Sequence, residues 1–144
     1  MLWQEQRSSR KYKSYENKNH RVFTLCDFFV IIGGVAGGAT TAARLRRKDE
    51  TAEIVVLEKG EYISYADCGL PYYIGDVIQN REALLLQTPE NMKQKFNIDV
   101  RVRHEAVGIK PEEKIVRVKN LADGNVYEEK YDKLVLATGS LQIR

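Results

Sequence analysis

Cysteine is scarce in this chain, with only Cys26 and Cys68 among 144 residues. Two thiols cannot staple a disulfide scaffold. Histidine is as rare, with two residues, and no metal site is expected. No apolar run approaches the ~20 residues needed to cross a bilayer. The longest, Phe28–Ile32, has five. The chain opens without a hydrophobic stretch of the secretory kind, so a reducing cytoplasm is the expected location. Net charge is only +3 and unevenly spread. Residues 1–22 carry six cations against two carboxylates, a local +4 that leaves −1 for the rest. A near-neutral body argues against nucleic acid as a partner, and no membrane contact is expected.

What is present suits one globular domain: 43% hydrophobic and 30% charged residues, with room for one core and hardly for two. Residues 1–26 are polar, basic and without periodicity, and read as a disordered extension. Residues 27–144 read as the domain. Phe28–Ile32 is fully apolar, as a central parallel strand requires. Glycines follow, then a small-residue helix over residues 39–47, then a second buried strand over residues 53–57. This order is a βαβ unit. Thr88-Pro89-Glu90 signals an N-cap and a helix to about Phe96. Residues 99–103, 114–119 and 125–131 read as strands, the last two joined by a turn at Ala122-Asp123-Gly124. Residues 133–137 form another apolar strand, running into Thr138-Gly139.

The turn Gly33-Gly34-Val35-Ala36-Gly37-Gly38 sits where a dinucleotide fold places its phosphate loop. Glycine there lets the backbone approach a pyrophosphate at a helix N-terminus. The strict G-x-G-x-x-G pattern is not met, since Val35 takes the middle glycine position, and no Lys-Ser/Thr follows as in a P-loop. Ala39, Ala42 and Ala43 permit close helix-to-sheet packing. Glu58 ends the second strand and can accept both hydroxyls of a ribose.

Cys68 lies thirty residues after Gly38, in Ser64-Tyr65-Ala66-Asp67-Cys68-Gly69-Leu70-Pro71-Tyr72. Pro71 fits a first helical turn, and Ser64 or Asp67 can cap it. That puts the sulfur at the positive end of a helix, a setting that favours reactive thiols. A buried structural cysteine is the competing reading.

Together these motifs resemble the FAD-dependent pyridine nucleotide-disulfide oxidoreductases, in the branch of coenzyme A disulfide reductases, NADH oxidases and persulfide reductases. The resemblance covers residues 29–139. It implies an α/β, Rossmann-like FAD-binding domain, present in part, whose parallel sheet carries the βαβ unit and an inserted antiparallel β-meander. It implies FAD held by Gly33, Gly34, Val35, Ala36, Gly37, Gly38, Glu58, Lys59, the backbone near Val107, and Ala137, Thr138 and Gly139. Cys68 becomes a single redox cysteine, because Ile63 and Tyr73 stand where relatives of another branch place a second one. Coenzyme A disulfide is the implied substrate, contacted by Thr40, Arg44, Arg47, Ser64 and Asp67. The family usually has asparagine where this chain has Asp67, whose charge repels an anionic substrate. Full-length members are homodimers and take NAD(P)H on further domains. Disulfide, persulfide and oxygen remain open as electron acceptors, as does a segment that binds a nucleotide without turnover.

Overall fold

The computed structural model describes residues 12–17, 20–25 and 27–140. Tyr12–Asn17 (β1) and His20–Leu25 (β2) pair antiparallel, from Tyr12 opposite Leu25 to Asn17 opposite His20. This is regular structure where the sequence shows no periodicity. A hairpin needs only cross-strand pairs and a tight turn, which Tyr, Val, Phe and Thr among charges can supply. Cys26 and residues 141–144 lie outside the described residues.

The body is built in three layers. Its centre is a parallel sheet of Phe28–Ile32 (β3), Glu53–Leu57 (β4), Asp99–Arg101 (β5) and Lys133–Leu136 (β9), in the order β5-β4-β3-β9. Ala36–Lys48 (α1) links β3 to β4, and Pro89–Phe96 (α3) precedes β5. His104–Lys110 (β6), Ile115–Asn120 (β7) and Val126–Lys130 (β8) form an antiparallel meander inserted before β9. Alternation on the central strands sorts the core. Ile31, Ile54 and Val56 pack with Ala42 of α1 and Met92 of α3. Val30, Ile32, Val55 and Leu57 pack with Val116 and Val118 of the meander. Both faces of β3 and β4 are therefore covered, which is why they read as unbroken apolar runs.

Three boundaries differ from the sequence expectation. α1 begins at Ala36 rather than Ala39, taking in Gly37 and Gly38 despite their poor helix propensity, because packing against the turn overrides it. The strand expected over residues 99–103 ends at Arg101, and Arg103, with φ +56°, donates its backbone N–H to the Gly60 carbonyl at 3.0 Å. The chain there leaves the parallel sheet and enters β6, a strand the sequence does not announce because alanine and glycine dilute its pattern. Thr88, by contrast, caps α3 as expected, accepting from the Asn91 N–H at 3.2 Å.

Two arginines stitch the layers. Arg46 of α1 is buried and donates to four backbone carbonyls: Phe96 (2.7 Å), Asn97 (2.9 Å), Glu50 (2.6 Å) and Asp49 (3.2 Å). It satisfies the orphan carbonyls of two helix ends at once. Arg101 of β5 joins the meander, donating to Glu129 (2.6 Å) and Tyr127 (3.0 Å) while holding Asp99 at 2.9 Å. Burial works against its charge, yet Glu129, Asp99 and Tyr127 overcome that and raise its pKa above the usual arginine value. Arg46→Met keeps the apolar stem and abandons the carbonyls. It should cost about 2–4 kcal/mol, read as a lower urea midpoint at unchanged slope. Arg46→Lys should recover only part, lacking the planar donor fork.

Candidate functional site

The site is assembled at the C-terminal edge of the parallel sheet, where β3, β4 and β9 end side by side. Gly33 leaves β3 with φ +99°, a left-handed conformation suited to glycine. Its N–H donates to the Leu57 carbonyl at 2.8 Å. A Cβ on Gly33 would overlap the Ala137 carbonyl, and one on Gly38 would overlap the Gly33 carbonyl. Absence of side chains is thus what lets α1 start directly beneath β9. The N-cap of α1, Val35, offers no side-chain acceptor, and its first turn holds no acidic residue. The opening amides of this thirteen-residue helix are left for an anion. A helix start of this kind suits the charge of a pyrophosphate.

Glu58, one residue past β4, folds back over the turn. Its carboxylate accepts from Gly34 N–H at 2.6 Å and from Gly60 N–H at 2.7 Å. Both oxygens are therefore fixed on the side of the turn expected to meet a ribose. Lys59 pairs with Glu105 of β6 at 2.7 Å. Val107 lies at a bulge between Ala106 and Gly108, where the register with β7 shifts. It has no partner in that register, and its side chain is 47% exposed. β6 begins from Glu58, whose carbonyl accepts from His104 N–H at 2.9 Å. Thr138 and Gly139 follow β9, Gly139 with φ +70°. The structure thus gathers Gly33, Gly34, Val35, Ala36, Gly37, Gly38, Glu58, Ala137 and Thr138 around one turn. Val107 sits on the adjoining meander, and Lys59, just after Glu58, is tied to it through Glu105.

The cysteine segment is bolted to that turn. Ser64 adopts φ +50° and donates its N–H to the Gly34 carbonyl at 3.0 Å. On the other side its carbonyl accepts from Leu86 N–H at 3.3 Å. Cys68 is exposed, in a single 3-10 turn spanning Asp67–Gly69. The helix that follows, Leu70–Ile74 (α2), has five residues, with Pro71 in its first turn. Neither Ser64 nor Asp67 caps it, because Ser64 is committed to the glycine turn and the cap position falls to Gly69. The expected setting at a helix end is thereby corrected. One turn of helix supplies little dipole, and Cys68 precedes it.

Thr40, Arg44 and Arg47 share one exposed face of α1 at helical spacing. Arg47 reaches back to the Ala43 carbonyl at 3.3 Å. No hydrogen bond or ion pair joins them to Ser64 or Asp67 among the described residues. Sequence reasoning missed Arg81, which lies over the Tyr62 ring at 5.5 Å beside the cysteine segment. A cation next to a tyrosine-rich stretch was the signal available.

Residues 28–144 match the family described as pyridine nucleotide-disulphide oxidoreductase. The chain belongs to this family. Its members are FAD-dependent enzymes that draw on NAD(P)H. Among curated members of the family, the coenzyme A disulfide reductase of Staphylococcus epidermidis is 44% identical over 111 residues, 77% of this chain and 25% of that one. Among solved members, reduced Bacillus anthracis CoADR-RHD is 52% identical at TM-score 0.81, covering 83% of this chain and 21% of that chain. An NAD-dependent persulfide reductase from A. fulgidus is 40% identical at TM-score 0.75, covering 78% and 21%. The chain spans about a quarter of the length of the curated relatives it matches. No described helix is long and apolar enough to cross a membrane.

The glycine turn yields a paired test. Gly38→Ala forces a Cβ into the Gly33 carbonyl and should cost more than about 3 kcal/mol or abolish the cooperative melt. Gly37→Ala meets only the Ala137 Cβ at 3.6 Å, and should leave the thermal midpoint unchanged or raise it, by up to about 1 kcal/mol of helix propensity.

Proposed function

We propose that this chain is the N-terminal, FAD-binding segment of a flavoprotein that reduces coenzyme A disulfide through one redox cysteine, Cys68, in the cytoplasm. The observation that carries the reading is the Ser64–Gly34 hydrogen bond, which fixes an exposed thiol segment to a glycine turn fitted for a pyrophosphate. Gly33 to Gly38 and the opening amides of α1 would hold the phosphates, Glu58 the ribose, and Lys59, Val107, Thr138 and Gly139 the rim. The chemistry FAD brings when bound is two-electron transfer from NAD(P)H to a disulfide. Domains outside this sequence would supply the NAD(P)H site, as in the longer relatives.

Cys68 thiolate attacks one sulfur of the disulfide. A Cys68–S–S–coenzyme A bond forms, the original S–S bond breaks, and one coenzyme A leaves as its thiolate. Neither Ile63 nor Tyr73 carries sulfur, so among the described residues no second thiol is present to resolve this mixed disulfide. Its reductive cleavage takes two electrons, releases the second coenzyme A as its thiolate and returns Cys68 as a thiolate. Thr40, Arg44, Arg47 and Ser64 would meet the phosphate-bearing part of the substrate, with Asp67 beside the sulfur.

Mixing the purified chain with FAD should give retained flavin with altered fluorescence and visible absorbance, weakened in Glu58→Ala. Incubation with coenzyme A disulfide should give one coenzyme A adduct by intact mass, missing in Cys68→Ser. A chain that retains no flavin even after refolding with it loses the binding claim. An adduct that survives in Cys68→Ser moves the chemistry to Cys26.

A further inference from the structure

Arg81 is the most highly organised exposed cation in the body that lacks a carboxylate. It opens the 3-10 turn Arg81–Leu84, capped by Asn80, whose side chain accepts from the Glu82 N–H at 2.9 Å. Its guanidinium carbon lies 5.5 Å from the Tyr62 ring centroid. The Tyr65 side chain lies beside the same guanidinium. Tyr62 and Tyr65 are themselves paired, with ring centroids 6.5 Å apart. Tyr65 precedes Cys68 by three residues, so Arg81 stands beside the segment that leads into the cysteine.

The backbone holds this arrangement together. Ala66 N–H donates to the Leu84 carbonyl at 2.9 Å, Tyr65 bridges Leu85, and Gly69 packs against the Leu84 side chain. Lys59, Arg101, Arg103 and Lys110 all have carboxylate partners; Arg81 has none among the described residues. An ordinary surface arginine is conformationally free, and its charge is smeared over many rotamers. Stacking on a tyrosine fixes the position of this one while leaving its charge uncompensated. Asp67, exposed beside Cys68, presents the opposite sign to anything approaching the sulfur.

We infer that Arg81 is a specificity residue that draws disulfides bearing a phosphate or carboxylate group to Cys68, offsetting the repulsion from Asp67. The inference rests on Cys68 being the disulfide-reactive thiol proposed above. It adds a positive charge from outside the α1 row, placed by the cysteine segment itself. A fixed charge acts on approach as well as on contact, so its effect fades with salt.

The test uses the full chain with Cys26→Ser and follows Cys68 with two disulfide reagents, the dianion dithiobis(nitrobenzoate) and the neutral dithiodipyridine. Arg81→Gln should slow the dianion about five- to ten-fold at low salt, with the difference collapsing near 1 M salt. The neutral reagent should change less than about two-fold, and Arg81→Lys should keep most of the dianion rate, because the effect is one of charge. Equal slowing of both reagents, or no slowing of the dianion, overturns the assignment. Failure of the Cys26→Ser chain to consume either reagent would instead remove Cys68 from disulfide chemistry, a failure distinct from a Cys68 that reacts but is indifferent to charge.

Discussion

The close approach of three backbones at the end of β3 is the constraint on which the rest depends. Gly33 lies against the Ala137 carbonyl and Gly38 against the Gly33 carbonyl, with no room for a Cβ at either place. That contact sets where α1 begins, how near it lies to β9, and therefore where its opening amides point. Glu58 and Ser64 both take their positions from Gly34, the next residue along. A Cβ at Gly33 or Gly38 would push the helix away from the sheet.

Around the knot, the two polar stitches solve one problem on opposite faces of the sheet. Layers joined only by apolar side chains can slide, since hydrophobic contact is non-directional. Arg46 fixes the helical layer through carbonyls that would otherwise be orphaned, and Arg101 fixes the meander through a buried carboxylate and a phenol. Burial pushes the Tyr127 hydroxyl up, against the hydrogen bond from Arg101, so the phenol stays protonated at ordinary pH. The meander matters to the site because β6 starts from the Glu58 carbonyl. Its bulge at Val107 and the Lys59–Glu105 pair then build the wall beside that carboxylate.

Much of this is legible in the residues. The apolar runs over residues 28–32 and 53–57 read as central strands, Thr88-Pro89 as a helix start, and the glycine turn and Glu58 as the ends of those strands, as the fold has them. What escaped reading depended on tertiary contact. Ser64 looked like a cap because serine caps helices locally, whereas its backbone belongs to Gly34, a partner thirty residues away in the chain. Gly37 and Gly38 looked like turn because their propensity is poor, whereas packing makes them helix. β6 carries too few β-branched residues to declare itself and is held by its neighbours. Nothing local to Arg46 or Arg101 reveals four carbonyls or a buried glutamate on the far side of a core.

The left-handed Ser64 has a thermodynamic corollary. One hydrogen bond joins the residue that begins the cysteine segment to the glycine turn, so the order of one is linked to the order of the other. Anything that stiffens the turn stiffens the segment, and by reciprocity a molecule captured on the segment tightens the turn by the same free energy. The two halves of the site are thus a single cooperative unit, and the exchange rate of the Ser64 amide proton is its gauge.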